Sequence, residues 1–330
     1  MKAKREVLVR IVRLVVVAIG LQALVASAQT PRPALLVLNK GANELAIVDP
    51  VAMKVVGRVP VGEGPHEVAS DGKLAFVANF GGRTPGHTIS IIDLATQKEI
   101  KRMELGSLQR PHGIVVNRNK VFFTAEDASG GWISAHSPSG RWGFFRPTGQ
   151  YGTHMLVITA DGKKVFATNI SSNSVSVCKP AAPRTEGTTI PVGKGPEGID
   201  MSPDEREVWV AHSQDGGISI IDVKTVKVTQ TLDIGTKRSN RLKFTPDGKR
   251  VLVSDINGDE VVVLDAASRK EIKRIHAGGH PEGIQMAPDG SRAFVALAQE
   301  GVVATIDLKT LEVTSKLPTG PDVDGMAWVK

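Results

Sequence analysis

The sequence predicts an all-β fold, a seven-bladed β-propeller with four antiparallel strands per blade. Three observations lead there: one apolar run recurs seven times, a second strand follows each copy, and the chain ends supply complementary parts of one repeat. The run reads LLVLNK (35–40), AFVANF (75–80), VFFTAE (121–126), VFATNI (165–170), VWVAHS (208–213), VLVSDI (251–256) and AFVALA (293–298). Each copy is continuous, apolar and rich in β-branched residues, as expected for a strand covered on both faces.

The second strand reads NELAIVDP (43–50), HTISIIDL (87–94), GWISAHSP (131–138), NSVSVCKP (173–180), GGISIIDV (216–223), DEVVVLDA (259–266) and GVVATIDL (301–308). Asp49, Asp93, Asp222, Asp265 and Asp307 stand where a carboxylate closes a local turn. Asp-Gly hairpin signals such as Ser70-Asp71-Gly72 and Pro246-Asp247-Gly248 precede the apolar runs, and a Lys/Thr/Val-rich outer strand such as 54–62 or 227–235 follows the second strand. Helical repeats of similar length are excluded, because no segment sustains apolar spacing at i, i+3, i+4 and i+7.

A closed ring needs a seam. The first unit lacks its innermost strand, and Asp324 to Lys330 (DGMAWVK) supplies it, so N- and C-terminal strands share one blade and no edge stays open.

The first 28 residues read as a signal peptide: a basic start with five Lys or Arg, an apolar stretch from Leu14 to Val25, and the small-x-small site Ala26-Ser27-Ala28. An uncleaved anchor is the rival reading, but the stretch is shorter than the roughly 20 residues that span a bilayer. The expected organisation is a signal peptide over 1–28 and one propeller domain over 29–330, periplasmic or secreted, monomeric, with no transmembrane segment after cleavage. Removal of the leader lowers the formal charge from +7 to about +3. That excess is spread without a basic block, so nucleic acid is not an expected partner. Cys178, the only cysteine, excludes an internal disulfide and is expected as a small buried residue in a strand.

Aligning the units on the turn before the innermost strand brings seven polar residues into register, at intervals of about 42 to 46 residues: His66, His112, His154, Glu197, Asn240, Glu282 and Asp324. All are expected around one channel mouth, with Arg238 and Arg241 beside them. Three readings stand side by side. The ring is simply the polar lining of a water-filled opening; or His66, His112, His154, Glu197 and Glu282 hold a divalent metal ion, imidazole and carboxylate being suitable ligands; or the ring exchanges protons or hydrogen bonds with a polar ligand. Loop residues Asn79, Arg83, Glu126, Asp127, Asn169, His212, Asp255 and Asn257 are expected around the same mouth as a mixed-charge bowl. The segment 131–152 gathers Trp132, Trp142, Phe144, Phe145 and Tyr151, read as filling between blades or as a contact patch.

The segments FVANF, FATNI, GPHEV, GPEGI, SIIDL and SIIDV resemble the YVTN-type (YncE-like) β-propeller repeats of exported and surface proteins. The resemblance covers about residues 34 to 330, and it implies the fold without an activity. No G-x-S-x-G, H-E-x-x-H or P-loop is present. The favoured expectation is therefore a binding protein that recognises a protein, peptide, glycan or small polar ligand at the channel mouth. The alternative is a metal-assisted enzyme at the His/carboxylate ring, for which propeller lactonases and lyases offer a fold-level analogy.

Overall fold

The repeated apolar runs become the buried middle strands of blades because each has neighbours on both faces. The computed structural model describes residues 29–182 and 187–330, which form seven four-stranded antiparallel sheets. Strands A to D of each blade run from the channel outward. Blade I takes strands B to D from Ala34–Asn39, Glu44–Asp49 and Lys54–Pro60, and its strand A from Val323–Val329. The strands A of blades II to VII are Pro65–Ser70, Ile114–Asn117, Thr153–Ile158, Pro196–Met201, Ser239–Phe244 and Pro281–Met286.

The expected seam is present. Val323–Val329 pairs antiparallel with Ala34–Asn39, placing Leu35 opposite Trp328 and Val37 opposite Met326. Two short 3-10 turns, Lys40–Ala42 and Ile170–Ser172, are the helical elements among the described residues. None of their helices is long and apolar enough to cross a membrane. The expected signal peptide lies outside the described residues.

Alternation along each run sends side chains to opposite faces of a blade. Leu36, Leu38 and Ile47 of blade I pack on Ala75, Val77 and Ile92 of blade II. From the other face, Leu35, Val37 and Val48 meet Phe294, Ala296 and Val303 of blade VII. The Asp turns form as expected: Asp49 accepts hydrogen bonds from the Val51 and Ala52 amides at 2.8 and 2.9 Å.

The third blade departs from the repeat at its outer strand. Other outer strands carry exposed Lys, Glu and Thr, whereas Trp142–Pro147 reads WGFFRP. Phe145 stacks on Trp132 with ring centroids 4.1 Å apart, so part of the aromatic segment is interblade filling. Tyr151 is 63% exposed and takes no part in that filling. Cys178 is buried in a strand, and burial raises its thiol pKa to about 11.

Candidate functional site at the closed end of the channel

The seven register positions form the first tier of the channel, at the start of strand A. They are largely covered: His112, Glu197, Asn240 and Asp324 are buried, and His66 and His154 are mostly covered. The residue after each is Glu67, Gly113, Met155, Gly198, Arg241, Gly283 or Gly325. The four glycines are required by close approach. A Cβ on Gly198 would sit 2.2 Å from the Asn240 carbonyl oxygen, and one on Gly283 2.3 Å from that of Asp324.

Of the three positions without glycine, Met155 is apolar, and Glu67 and Arg241 pair across the channel. Arg241 Nη2 and Nε donate to Glu67 Oε1 at 2.8 and 3.2 Å, joining strands A of blades II and VI. Arg241 Nη1 donates to Asn240 Oδ1 at 2.6 Å, and Asn240 Nδ2 to Glu197 Oε1 at 3.1 Å. Burial alone would lower the Arg241 pKa, but Glu67, Asp324 and Glu197 outweigh it and hold the guanidinium charged. Burial raises the Glu67 pKa against the opposing pull of Arg241. Such a pair is costly to break, since either partner alone is a buried unpaired charge.

A second charged group lies at the seam. Lys40 Nζ is 3.2 Å from Glu282 Oε2, 3.3 Å from Asp324 Oδ2 and 3.6 Å from Asp322 Oδ1. On its far side Asp324 Oδ2 lies 2.7 Å from His66 Nδ1. Burial would raise the Asp324 pKa, yet His66 and Lys40 overcome it and hold the carboxyl well below the usual range. Glu282 goes the other way: burial and the neighbouring Asp324 charge push it up to about 8 despite Lys40. Two nearby carboxyls thus differ in protonation near neutral pH.

The rings of the histidine arc lie against one another, tilted by 40° and 33°. His112 and His154 have ring centroids 3.5 Å apart, His66 and His112 4.5 Å, and Phe80 lies 5.0 Å from His66 with Arg110 above its ring at 4.8 Å. Burial, followed by neighbouring positive groups, holds His112 and His154 well below the ordinary histidine pKa, so both rings are neutral. Among the described residues neither ring nitrogen of buried His112 has a hydrogen-bond partner, and the same holds for His66 Nδ1 and both Asp324 carboxylate oxygens. Among the described residues, no three His, Cys, Asp or Glu side chains are placed to hold a metal ion.

The structure thus brings together His66, His112, His154, Glu197, Asn240, Arg241, Glu282 and Asp324. Arg238 stays apart, exposed at the rim. The expected bowl of loop residues dissolves in part. Asn79, Asn169, His212 and Asp255 are buried at the ends of strands B, where they satisfy local polar groups instead of facing the mouth. Asp255 accepts from the Lys237 and Arg238 amides, both at 2.8 Å; Asn79 accepts from the Gly62 amide at 3.1 Å; His212 Nδ1 lies 3.0 Å from Asp215 Oδ1. Of the remaining bowl residues, Arg83 and Asn257 are exposed, and Glu126 and Asp127 half-buried. Sequence reading missed Lys40, Glu67, Phe80 and Arg110. Glu67 carried a usable signal, as an acid at a register position that is glycine in four blades.

Comparison with known proteins agrees with the architecture. The cytochrome D1 heme domain family matches residues 150–291, somewhat under half of the chain and four of the seven ring positions. The antigen Lp49 of Leptospira interrogans is 28% identical over 94 residues, a span covering 28% of this chain and 21% of that protein. Among solved structures, hydrazine synthase of Kuenenia stuttgartiensis superposes with a TM-score of 0.74 at 20% identity, covering 83% of this chain and 92% of that one. A periplasmic gluconolactonase of Pseudomonas aeruginosa gives 0.73 at 17% identity, over 90% and 99% of the two chains. At these identities the likeness is one of fold, a seven-bladed propeller.

A haem, which the matching family's description suggests, does not fit inside the ring as folded. Arg241, Asn240 and Lys40 fill the interior with hydrogen-bonded side chains, and His112 and His154 cover each other's faces.

Proposed function

We propose that the chain is an exported, periplasmic or secreted binding protein that takes a small polar ligand at the closed end of the channel. One observation carries the reading: the partly exposed His66 ring stands with Nδ1 2.7 Å from Oδ2 of the buried Asp324 carboxylate, a polar pair that a ligand at this end of the channel would meet. Half-buried Phe80 and the Arg110 guanidinium stand beside it. Glu282, whose carboxyl pKa is pushed up to about 8 by burial, stands on the same side of the ring beyond Asp324. A closed end suits this role, because a ligand then meets a fixed polar floor that has already been ordered.

The same geometry favours a second reading, an enzyme. A carboxylate-oriented imidazole can accept a proton while a carboxyl held neutral donates one, the division of labour needed to open a lactone or similar ester. The likeness to a gluconolactonase is a fold-level analogy for this. A divalent ion on His66, His112, His154, Glu197 or Glu282 would require these side chains to turn from their present partners.

Thermal unfolding of residues 29–330 against sugar acids, lactones, short peptides and divalent ions separates these readings. A ligand at a hundredfold excess over Kd raises stability by about 2.7 kcal/mol, and His66→Gln should abolish the shift. An undiminished shift in that variant would refute the site. Lactone consumption that disappears in both His66→Gln and Glu282→Gln would favour the enzyme, and stoichiometric metal in the purified protein lost with His66, His112 and His154 would favour its metal-assisted form.

A further inference from the structure

A second recognition surface lies away from the ring, between blades III and IV. A groove of about 700 Å³ is bounded by the strand A–B turns of both blades and by residues 179–182. Among the described residues four cationic side chains line it, Arg118, Lys120, Lys163 and Lys179, all exposed, against one carboxylate, Asp161, 3.0 Å from Lys163. The groove thus holds about three excess positive charges, equal to the whole excess expected for residues 29–330.

Its wall is aromatic for a reason visible in the repeat. Phe144 belongs to the outer strand that reads WGFFRP, at a position where other blades present polar side chains. It faces Phe122 across 6.3 Å, while the Arg146 guanidinium covers it at 5.4 Å. Pro180, Ala181 and Ala182 complete an apolar floor. A cationic rim around an aromatic wall complements a chain that alternates acidic and apolar side chains. We propose that this groove docks an acidic, aromatic-bearing segment of a partner protein.

The test uses the full mature chain and a fluorescein-labelled peptide alternating Glu with Phe, followed by polarisation. Binding should weaken with added salt, and the double reversal Lys120→Glu/Lys163→Glu should weaken it at least about tenfold. Lys227→Glu/Lys309→Glu, an equal charge change at exposed sites on other blades, should stay within about twofold. Phe144→Ala should remove the preference for this peptide over an all-Glu peptide, with the far-UV spectrum unchanged. Equal losses in both double reversals, or no loss in the groove variant, would overturn the proposal. So would groove-dependent binding to phosphatidylglycerol vesicles without peptide binding, which would assign the surface to membranes.

Discussion

The two ends of the channel are built from the same seven strands and have opposite characters. At the start of strand A, side chains converge, pair and close the bore; three residues beyond the first tier, the positions along the channel are Ala69, Val115, Val157, Asp200, Lys243, Gln285 and Ala327, and a cavity of about 470 Å³ opens below the Glu67–Arg241 bridge. The first tier is polar in every blade. The lower tier is small or apolar on one arc and carries Asp200 and Lys243, 3.2 Å apart and partly exposed, on the other. The same seven strands thus carry a densely paired polar tier at one level of the channel and a more open tier beyond it.

The largest break in this contrast is Arg241→Met. It leaves Glu67 and Glu197 buried without their cation, and urea unfolding should show a loss of about 3–5 kcal/mol. The double variant Glu67→Met/Arg241→Met should recover part of it, because Glu67 then needs no counter-charge while Glu197 still lacks its cation.

Gly198→Ala sharpens the comparison at the same end. The added methyl would collide with the Asn240 carbonyl, which belongs to the neighbouring backbone. A loss of about 2–3 kcal/mol is expected for that overpacking; a loss below 0.5 kcal/mol, the ordinary surface value, would show that adjacent strands A can separate.

Glu282→Gln tests the protonation pattern. The folded pKa of about 8 lies above the unfolded value, so the folded state binds the proton more tightly between about pH 4.5 and 8. Stability contributed by neutral Glu282 is therefore full below the unfolded pKa and declines as pH rises towards 8. The Gln variant should flatten that decline, on the order of 1–2 kcal/mol. Asp324 acts oppositely: its lowered pKa makes its contribution present above about pH 4 and lost on acidification below it.

The smallest effect belongs to the open end. Lys243→Met removes a half-exposed pair with Asp200, and a change under about 1 kcal/mol is expected in the same unfolding assay.

Blade number, the closing seam and the ring register were legible because each is a local pattern repeated along the chain. The Asp turns were legible for the same reason, each being closed within a few residues of itself. What the sequence did not disclose depends on reach across the channel. Glu67 and Arg241 are separated by 174 residues, and only the curvature of the closed ring makes them neighbours. Lys40 was read as the polar end of an apolar run, and nothing in its own repeat indicates that it meets Glu282 and Asp324. The expected bowl failed in the opposite sense: polar residues at strand ends look like loop tips, but Asn79, Asn169 and Asp255 turn inward to satisfy backbone amides or strand hydroxyls.

The seam also joins the two ends of the sequence in one polar cluster. His66 and Lys40 come from one end of the propeller sequence and Asp324 from the other, so the imidazole and the ammonium meet this carboxylate only when Val323–Val329 docks beside Ala34–Asn39. A partly assembled ring, or one nicked and relaxed at this blade, would still carry every histidine but would lack the His66–Asp324 and Lys40–Asp324 contacts. The charge pattern at this end of the channel is in this way conditional on completion of the circle.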